Sequence, residues 1–150
     1  MQIKAATFDD CIEFEKVEGK PRQIERLYKL LKKRRHCISH QILPSYEEHK
    51  MFVLGVPYRA WYLVLRGNIC LGSFYLQEDN SIGINLIDES LEVLSQCMKY
   101  ITENHTPKKE IKSKVPPYFY INAPFDNGNF QRSLEGLGCI PIQISYLLTP

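Results

Sequence analysis

Residues 81 to 87, SIGINLI, form a short apolar run that passes directly into a helical stripe. Ile87, Leu91, Leu94, Met98 and Ile101 follow at spacings of four, three, four and three, which puts them on one side of a helix. A second apolar run, PYFYINA, occupies 117 to 123 after a stretch rich in lysine and proline. A strand, a helix and a second strand in that order oblige the two strands to run parallel. The preceding runs demand the opposite. AWYLVL at 60 to 65 and ICLGSFYL at 69 to 76 flank Arg66-Gly67-Asn68, and Gln77 to Asn80 lead into SIGINLI, so these three strands form an antiparallel meander. One sheet has to satisfy both rules. The expected class is α/β, in its α+β form with a mixed sheet: an antiparallel meander followed by a parallel strand-helix-strand crossover.

The rest of the chain adds elements to this frame. CIEFEKV at 11 to 17 alternates like a half-exposed strand, and MQIKAATF is expected to pair with it. PRQIERLYKLLKKRRH carries Ile24, Leu27, Tyr28 and Leu31 on one helical face, with Pro21 suited to the first turn. Ser45-Tyr46-Glu47-Glu48 reads as a capping box for a helix running to about Leu54. Asp88 is the expected N-cap of the crossover helix. A short helix is expected from Phe125 to Gly138, and a last strand from the alternation of Ile140, Ile142, Ile144, Tyr146 and Leu148. With 150 residues and 44% hydrophobic content, a single domain spanning 1–150 accommodates all of this. No apolar run approaches the length of a membrane span, and the first residues lack the apolar centre of a signal peptide. A cytoplasmic protein with no membrane contact is expected. Cys11, Cys37, Cys70, Cys97 and Cys139 contain no C-x-x-C pair and read as reduced core thiols.

The order of elements resembles the GNAT family of acyl-CoA-dependent N-acyltransferases over roughly residues 11 to 148. The stretches ISHQILPSYEEHKMFV, PYRAWYLV, ICLGSFYL and NSIGINL look like the members that acylate amino sugars for bacterial surface polysaccharides. INAPFDNGNFQRSLEGLGC looks like the closing motif, with Asn127 at its asparagine. The resemblance implies acetyl-CoA or another acyl-CoA as donor, lying between two parallel strands that splay apart. It implies that Gly83, Ile84, Asn85 and Leu86, with Asn122 and Asn127, hold the thioester arm. It also implies transfer to the amine of a small substrate, a nucleotide-linked amino sugar being one candidate, with His40 or His49 as base. The family's glycine-rich pyrophosphate loop has no counterpart here, because DESLEVLSQ follows the strand and brings Asp88 and Glu89 instead. Carboxylates in a first turn satisfy the helix dipole and take the place of a bound anion. The alternative expectation is therefore a catalytically inactive module of the same fold that has lost CoA binding.

Other residues carry weaker signals. Tyr58, Arg59 and Trp61 combine aromatic faces with a cation able to grip a phosphate, and suit an acceptor sugar; core packing of Trp61 is the plainer reading. His36 and His40 lie four apart but lack companions, so no metal is expected. Eight basic residues and one acid lie between Lys20 and Arg35. That helix face suits solvent, attraction of a diphosphate, or nucleic acid; nucleic acid is the least favoured, since the remainder of the chain is net acidic. A homodimer formed through sheet edges is the expected assembly, if any forms.

Overall fold

A computed structural model describes residues 11–34 and 42–150. Among these the elements are β1 (Ile12–Lys16), α1 (Pro21–Lys33), α2 (Tyr46–Leu54), β2 (Ala60–Arg66), β3 (Ile69–Leu76), β4 (Ser81–Leu86), α3 (Leu91–Asn104), β5 (Tyr120–Asn122) and α4 (Gly128–Gly136). The five strands form one sheet in chain order, β1-β2-β3-β4-β5. The first three pairings are antiparallel, and β4 with β5 is parallel. The sheet is mixed for the reason the sequence supplies: tight turns join β2, β3 and β4, whereas a helix joins β4 to β5.

Each face of the sheet has its own core. Val93, Leu94, Cys97 and Ile101 of α3, with Phe130 and Leu134 of α4, pack on Tyr62, Val64, Phe74, Ile82 and Leu86. On the other face Ile24, Leu27 and Leu30 of α1 and Val53 of α2 pack on Leu63 and Leu65. Double coverage explains the unbroken apolar run of β2, whose side chains from Tyr62 to Leu65 are all buried. Burying each such side chain contributes roughly 1.5–3 kcal/mol. Gln23 is buried in α1 yet fully satisfied. Its Oε1 accepts from the amides of Glu18 and Lys20, and its Nε2 donates to Glu15 and to the Lys16 carbonyl. This one amide fastens α1 to the end of β1. Tyr28 and Leu31, expected to be buried with Ile24 and Leu27, are only half-buried; Leu30 takes the inward position.

Other expectations change as well. Ile87 and Leu91 of the crossover stripe are exposed, and Val93 and Cys97 take inward positions with Leu94 and Ile101. Residues 140 to 148 form no strand and join no ladder, and their apolar side chains are exposed. Of the two edge strands of the described sheet, β5 is the one next to them in the chain order, and it is three residues long instead of the expected seven. Pro116 and Pro117 precede it, and proline has no amide for a ladder. The N-cap of α3 is Ser90, not Asp88: the Ser90 hydroxyl accepts from the Val93 amide at 3.3 Å, and Asp88 accepts from the Ser90 amide at 3.0 Å. Helix α4 is shorter than expected at both ends, beginning after Asn127 and stopping at Gly136. Cys11 is exposed instead of lying in the core, and Cys70 and Cys139 are half-buried; burial of Cys97 pushes its thiol up to about 12. The proposed strand over MQIKAATF lies outside the described residues.

Candidate functional site

The second face of the sheet carries a cavity of about 290 Å³ between α1, α2 and the strands β2, β3 and β4. His49 and Phe52 reach it from α2, Trp61 from β2, Tyr75 from β3, Asn85 from β4, and Tyr58 from the segment entering β2. Strand alternation selects these residues. Register places Trp61 opposite Tyr75 and Tyr75 opposite Gly83, so the three share a face. Gly83 has no side chain because Tyr75 fills its place: a β-carbon there would sit 2.2 Å from the Tyr75 Cζ. Tyr75 in turn stacks on Tyr58, with ring centroids 3.8 Å apart and planes within 7°. Trp61 meets Tyr58 edge-on at 4.9 Å. The result is an aromatic wall of two stacked rings with a third set edge-on to them.

Two polar features interrupt that wall. The indole Nε1 of Trp61 is buried and has no hydrogen-bond partner, a costly state for a donor unless a ligand supplies an acceptor. His49 is buried, and its Nε2 lies 3.0 Å from the carbonyl of Ile24. A carbonyl only accepts, so Nε2 carries the proton and Nδ1 the lone pair. Burial lowers the His49 pKa, against the opposing effect of the Ile24 hydrogen bond, so the ring is held neutral and able to take a proton. Burial also raises the Tyr58 pKa, as does the neighbouring Tyr75 hydroxyl, which keeps Tyr58 protonated.

The strand edge beside this cavity is the second component. The β4–β5 ladder pairs Ser81 with Tyr120, Ile82 with Ile121 and Gly83 with Asn122, and ends there. By alternation Ile84 and Leu86 present backbone groups on the β5 side, and beyond Gly83 no residue of β5 is registered with them. The side chain of Ile84 packs into the α3–α4 core, while Asn85 turns to the cavity. Past the open edge stand the N-termini of α3 and α4. Asn127 joins them: its Oδ1 accepts from the Phe130 amide at 3.1 Å, and its Nδ2 donates to Glu89 at 2.9 Å. With Glu92 also in the first turn, α3 begins among its own carboxylates.

His49, Tyr58, Trp61 and Asn85 therefore come together, while Gly83 shapes the floor beneath Tyr75. Arg59 goes elsewhere. Its Nη2 donates to the Thr106 carbonyl at 2.8 Å and its guanidinium lies 5.9 Å from the Phe119 ring, outside the cavity lining. Asn122 closes the ladder, and Asn127 is committed at both polar atoms. His40 lies outside the described residues. Phe52 and Tyr75 were missed by sequence reasoning; the signal for Tyr75 was Gly83, a glycine in a strand interior waiting for a large cross-strand neighbour. A larger and shallower recess of about 420 Å³, lined by Pro116, Pro117, Tyr118, Tyr120 and Ile142, gathers none of the expected site residues. Among the described residues no group of three or more potential metal ligands occurs, and no helix is long and apolar enough to cross a membrane. The chain matches no family model, and no curated protein or solved structure matches it.

Proposed function

We propose that the protein is a GNAT-like N-acyltransferase that binds a small amine in the aromatic cavity and acylates it from a thioester, a nucleotide-linked amino sugar being one substrate of suitable chemistry. The observation that carries this reading is that the β4–β5 ladder ends at Gly83 and Asn122, beside a cavity lined by a buried histidine whose pKa burial lowers. The unpaired edge of β4 suits an amide-bearing thioester arm, since strand addition to a free edge uses backbone hydrogen bonds alone. An acyl thioester supplies the activated carbonyl. His49 takes the amine's proton at Nδ1 as the new C–N bond forms and the thioester C–S bond breaks, and the departing thiolate takes up that proton from the His49 imidazolium through solvent; Trp61 donates to an oxygen of the acceptor, and Tyr58 and Tyr75 offer a stacking surface. The N-terminus of α3 suits a diphosphate poorly, because Asp88 and Ser90 already take the amides of Ser90 and Val93 and Glu89 adds charge of the wrong sign.

That misfit favours a second reading, a binding module of the same fold that uses the cavity without transferring a group. Thermal shift with acetyl-CoA and with S-acetyl pantetheine, each at millimolar concentration, separates the two. A ligand bound only by the folded state raises the melting temperature by mass action. Similar shifts with both compounds support recognition of the arm without the diphosphate. No shift with either refutes the transferase and leaves the module.

A further inference from the structure

Two charged side chains line the roof of the aromatic cavity. Arg34 closes α1 as its C-cap, and Glu48 lies in the first turn of α2. Among the described residues neither forms an ion pair, with the other or with a third group. Burial and the neighbouring Tyr75 raise the Tyr58 pKa while Arg34 opposes them, so the guanidinium lies within electrostatic reach of the Tyr58 hydroxyl. With His49 neutral, the positive and negative charges of the lining cancel.

The floor is polar without charge. Ser73 and Asn85 stand opposite each other across the β3–β4 ladder, and both line the cavity. Ser73 is buried, and among the described residues neither its hydroxyl nor the Asn85 amide bonds another side chain or backbone group. Buried polar groups left so are costly, and both are free to bond an occupant. Leu27, Leu31 and Phe52 line the same space with the Tyr58–Tyr75 stack. The lining thus combines a balanced pair of charges, an apolar belt and a hydrogen-bonding floor.

This combination selects among amines. A diphosphate brings several negative charges to a lining whose own charges cancel, and a cavity of about 290 Å³ falls just below the roughly 300 Å³ at which pockets for drug-sized ligands begin. A nucleotide-linked sugar would therefore keep most of its bulk outside. A purely apolar amine leaves Arg34, Ser73 and Asn85 unused. An α-amino acid carries an ammonium and a carboxylate on one carbon, so it can bridge a cation and a carboxylate that share one small cavity without pairing with each other.

We infer that the acceptor held in this cavity is a free α-amino acid whose side chain has an apolar stem and a polar tip: the carboxylate meets Arg34, the amine lies by Glu48 and His49, and the tip bonds Ser73 and Asn85. The inference rests on reading this cavity as the acceptor site, and it narrows that acceptor to a class. Isothermal titration calorimetry of the whole chain uses L-tyrosine as the probe. Tyramine lacks its carboxylate, 3-(4-hydroxyphenyl)propanoate its amine, and L-phenylalanine its polar tip. L-Tyrosine is expected to bind about tenfold or more tightly than each of the three, since each leaves a polar or charged group of the cavity unpaired. Arg34→Gln should abolish the advantage over tyramine while leaving tyramine binding unchanged, and Glu48→Gln should abolish the advantage over the propanoate. No binding of L-tyrosine, an affinity matched by any of the three analogues, or an advantage that survives its substitution overturns the inference. The transferase is judged separately. A melting-temperature rise with S-acetyl pantetheine in a chain that does not bind L-tyrosine keeps the transferase and removes the amino acid, whereas L-tyrosine binding without that rise keeps the amino acid as the ligand of a module that transfers nothing.

Discussion

Replacing Gly83 with alanine tests the cavity's construction directly. The new methyl carbon would meet Tyr75 at 2.2 Å from Cζ, 2.4 Å from the hydroxyl oxygen and 2.6 Å from Cε1, whereas ordinary contact begins near 3.4 Å. The ring must therefore retreat by more than an ångström, and any retreat disturbs the stack that it makes with Tyr58. Overpacking of this kind costs about 1–3 kcal/mol, and loss of an aromatic pair about 0.5–1.5 kcal/mol. Gly83→Ala should thus lower stability by roughly 1.5–4.5 kcal/mol, or about 6–12 °C in melting temperature at mid-range for a chain of this length. Urea denaturation of the single variant, of Tyr75→Ala, and of the double variant measures the coupling between them. In the Tyr75→Ala background the added methyl has room, so Gly83→Ala should cost less than about 0.5 kcal/mol there, apart from its effect on the unfolded chain. Gly72→Ala behaves differently, because its methyl would meet the Asn85 carbonyl at 2.2 Å and the Leu86 Cα at 2.8 Å. Backbone cannot yield as a side chain does, and removal of Tyr75 should bring no relief. A Gly83→Ala chain of unchanged stability, or one equally damaged whether or not Tyr75 is present, refutes the account of how the wall is positioned.

Acid should destabilise the fold through His49. Its pKa is lowered in the folded state by burial, so below the unfolded value of about 6.5 the unfolded chain binds more protons, and stability falls as pH drops from about 7.5 to 5.5. His105 acts in the same direction, its pKa lowered by burial and by the charges of Arg59 and Lys16; the share due to His49 is the part of the melting-temperature slope that His49→Gln removes, and an unchanged slope contradicts the assignment. Asn80 is fully buried at φ +69°, with Nδ2 donating to the carbonyls of Lys108 and Pro116 and Oδ1 accepting from the Lys108 amide. Asn80→Ala should cost roughly 2–5 kcal/mol in urea denaturation, and Asn80→Gly about 1 kcal/mol less, since glycine relieves the left-handed backbone but not the lost bonds.

What the sequence made legible was set by short-range physics. The β2-β3-β4 meander follows from two tight turns, the crossover from the stripe of Leu94 and Ile101, and the start of α2 from Ser45, whose hydroxyl accepts from the Glu48 amide as expected. The cavity was only half legible. His49, Tyr58, Trp61 and Asn85 could be picked by residue type, but that they share a face depends on the registers of two strand pairs and on where α2 docks. Arg59 shows the same limit from the other side: one position from Tyr58 in sequence, it is carried to the opposite region of the fold. The cap of α3 was misplaced because Asp88 and Ser90 are both good oxygen acceptors two residues apart, and the choice rests on where β4 lets the chain go. The missing strand at 140–148 has the plainest cause, since alternation records the capacity to pair and says nothing of the length of the neighbour.

The two ends of the proposed donor site are physically separable, and this decides what the protein can recognise. A thioester arm interacts with strand backbone, which is uncharged and present at Ile84 to Leu86. A diphosphate interacts with free amides and positive potential, and the start of α3 has the amides of Ser90 and Val93 taken internally and three carboxylates in or beside its first turn, Asp88, Glu89 and Glu92, of which Glu92 is paired with Arg66 at 3.8 Å. Like charges about 4 Å apart repel by about 1 kcal/mol in a water-like medium and about 4 kcal/mol near a protein surface. Even the lower figure, applied to two of the three, reduces affinity for a diphosphate there by more than tenfold. The basic residues of α1 do not offset this: Lys29 pairs with Glu25, and Lys32 lies over the Tyr28 ring, on the helix that roofs the cavity and not at α3. Binding therefore has to come from the strand edge and the aromatic wall. On this argument acetyl-CoA gains nothing over S-acetyl pantetheine, and a marked preference for the nucleotide-bearing donor would place the diphosphate somewhere other than the end of α3.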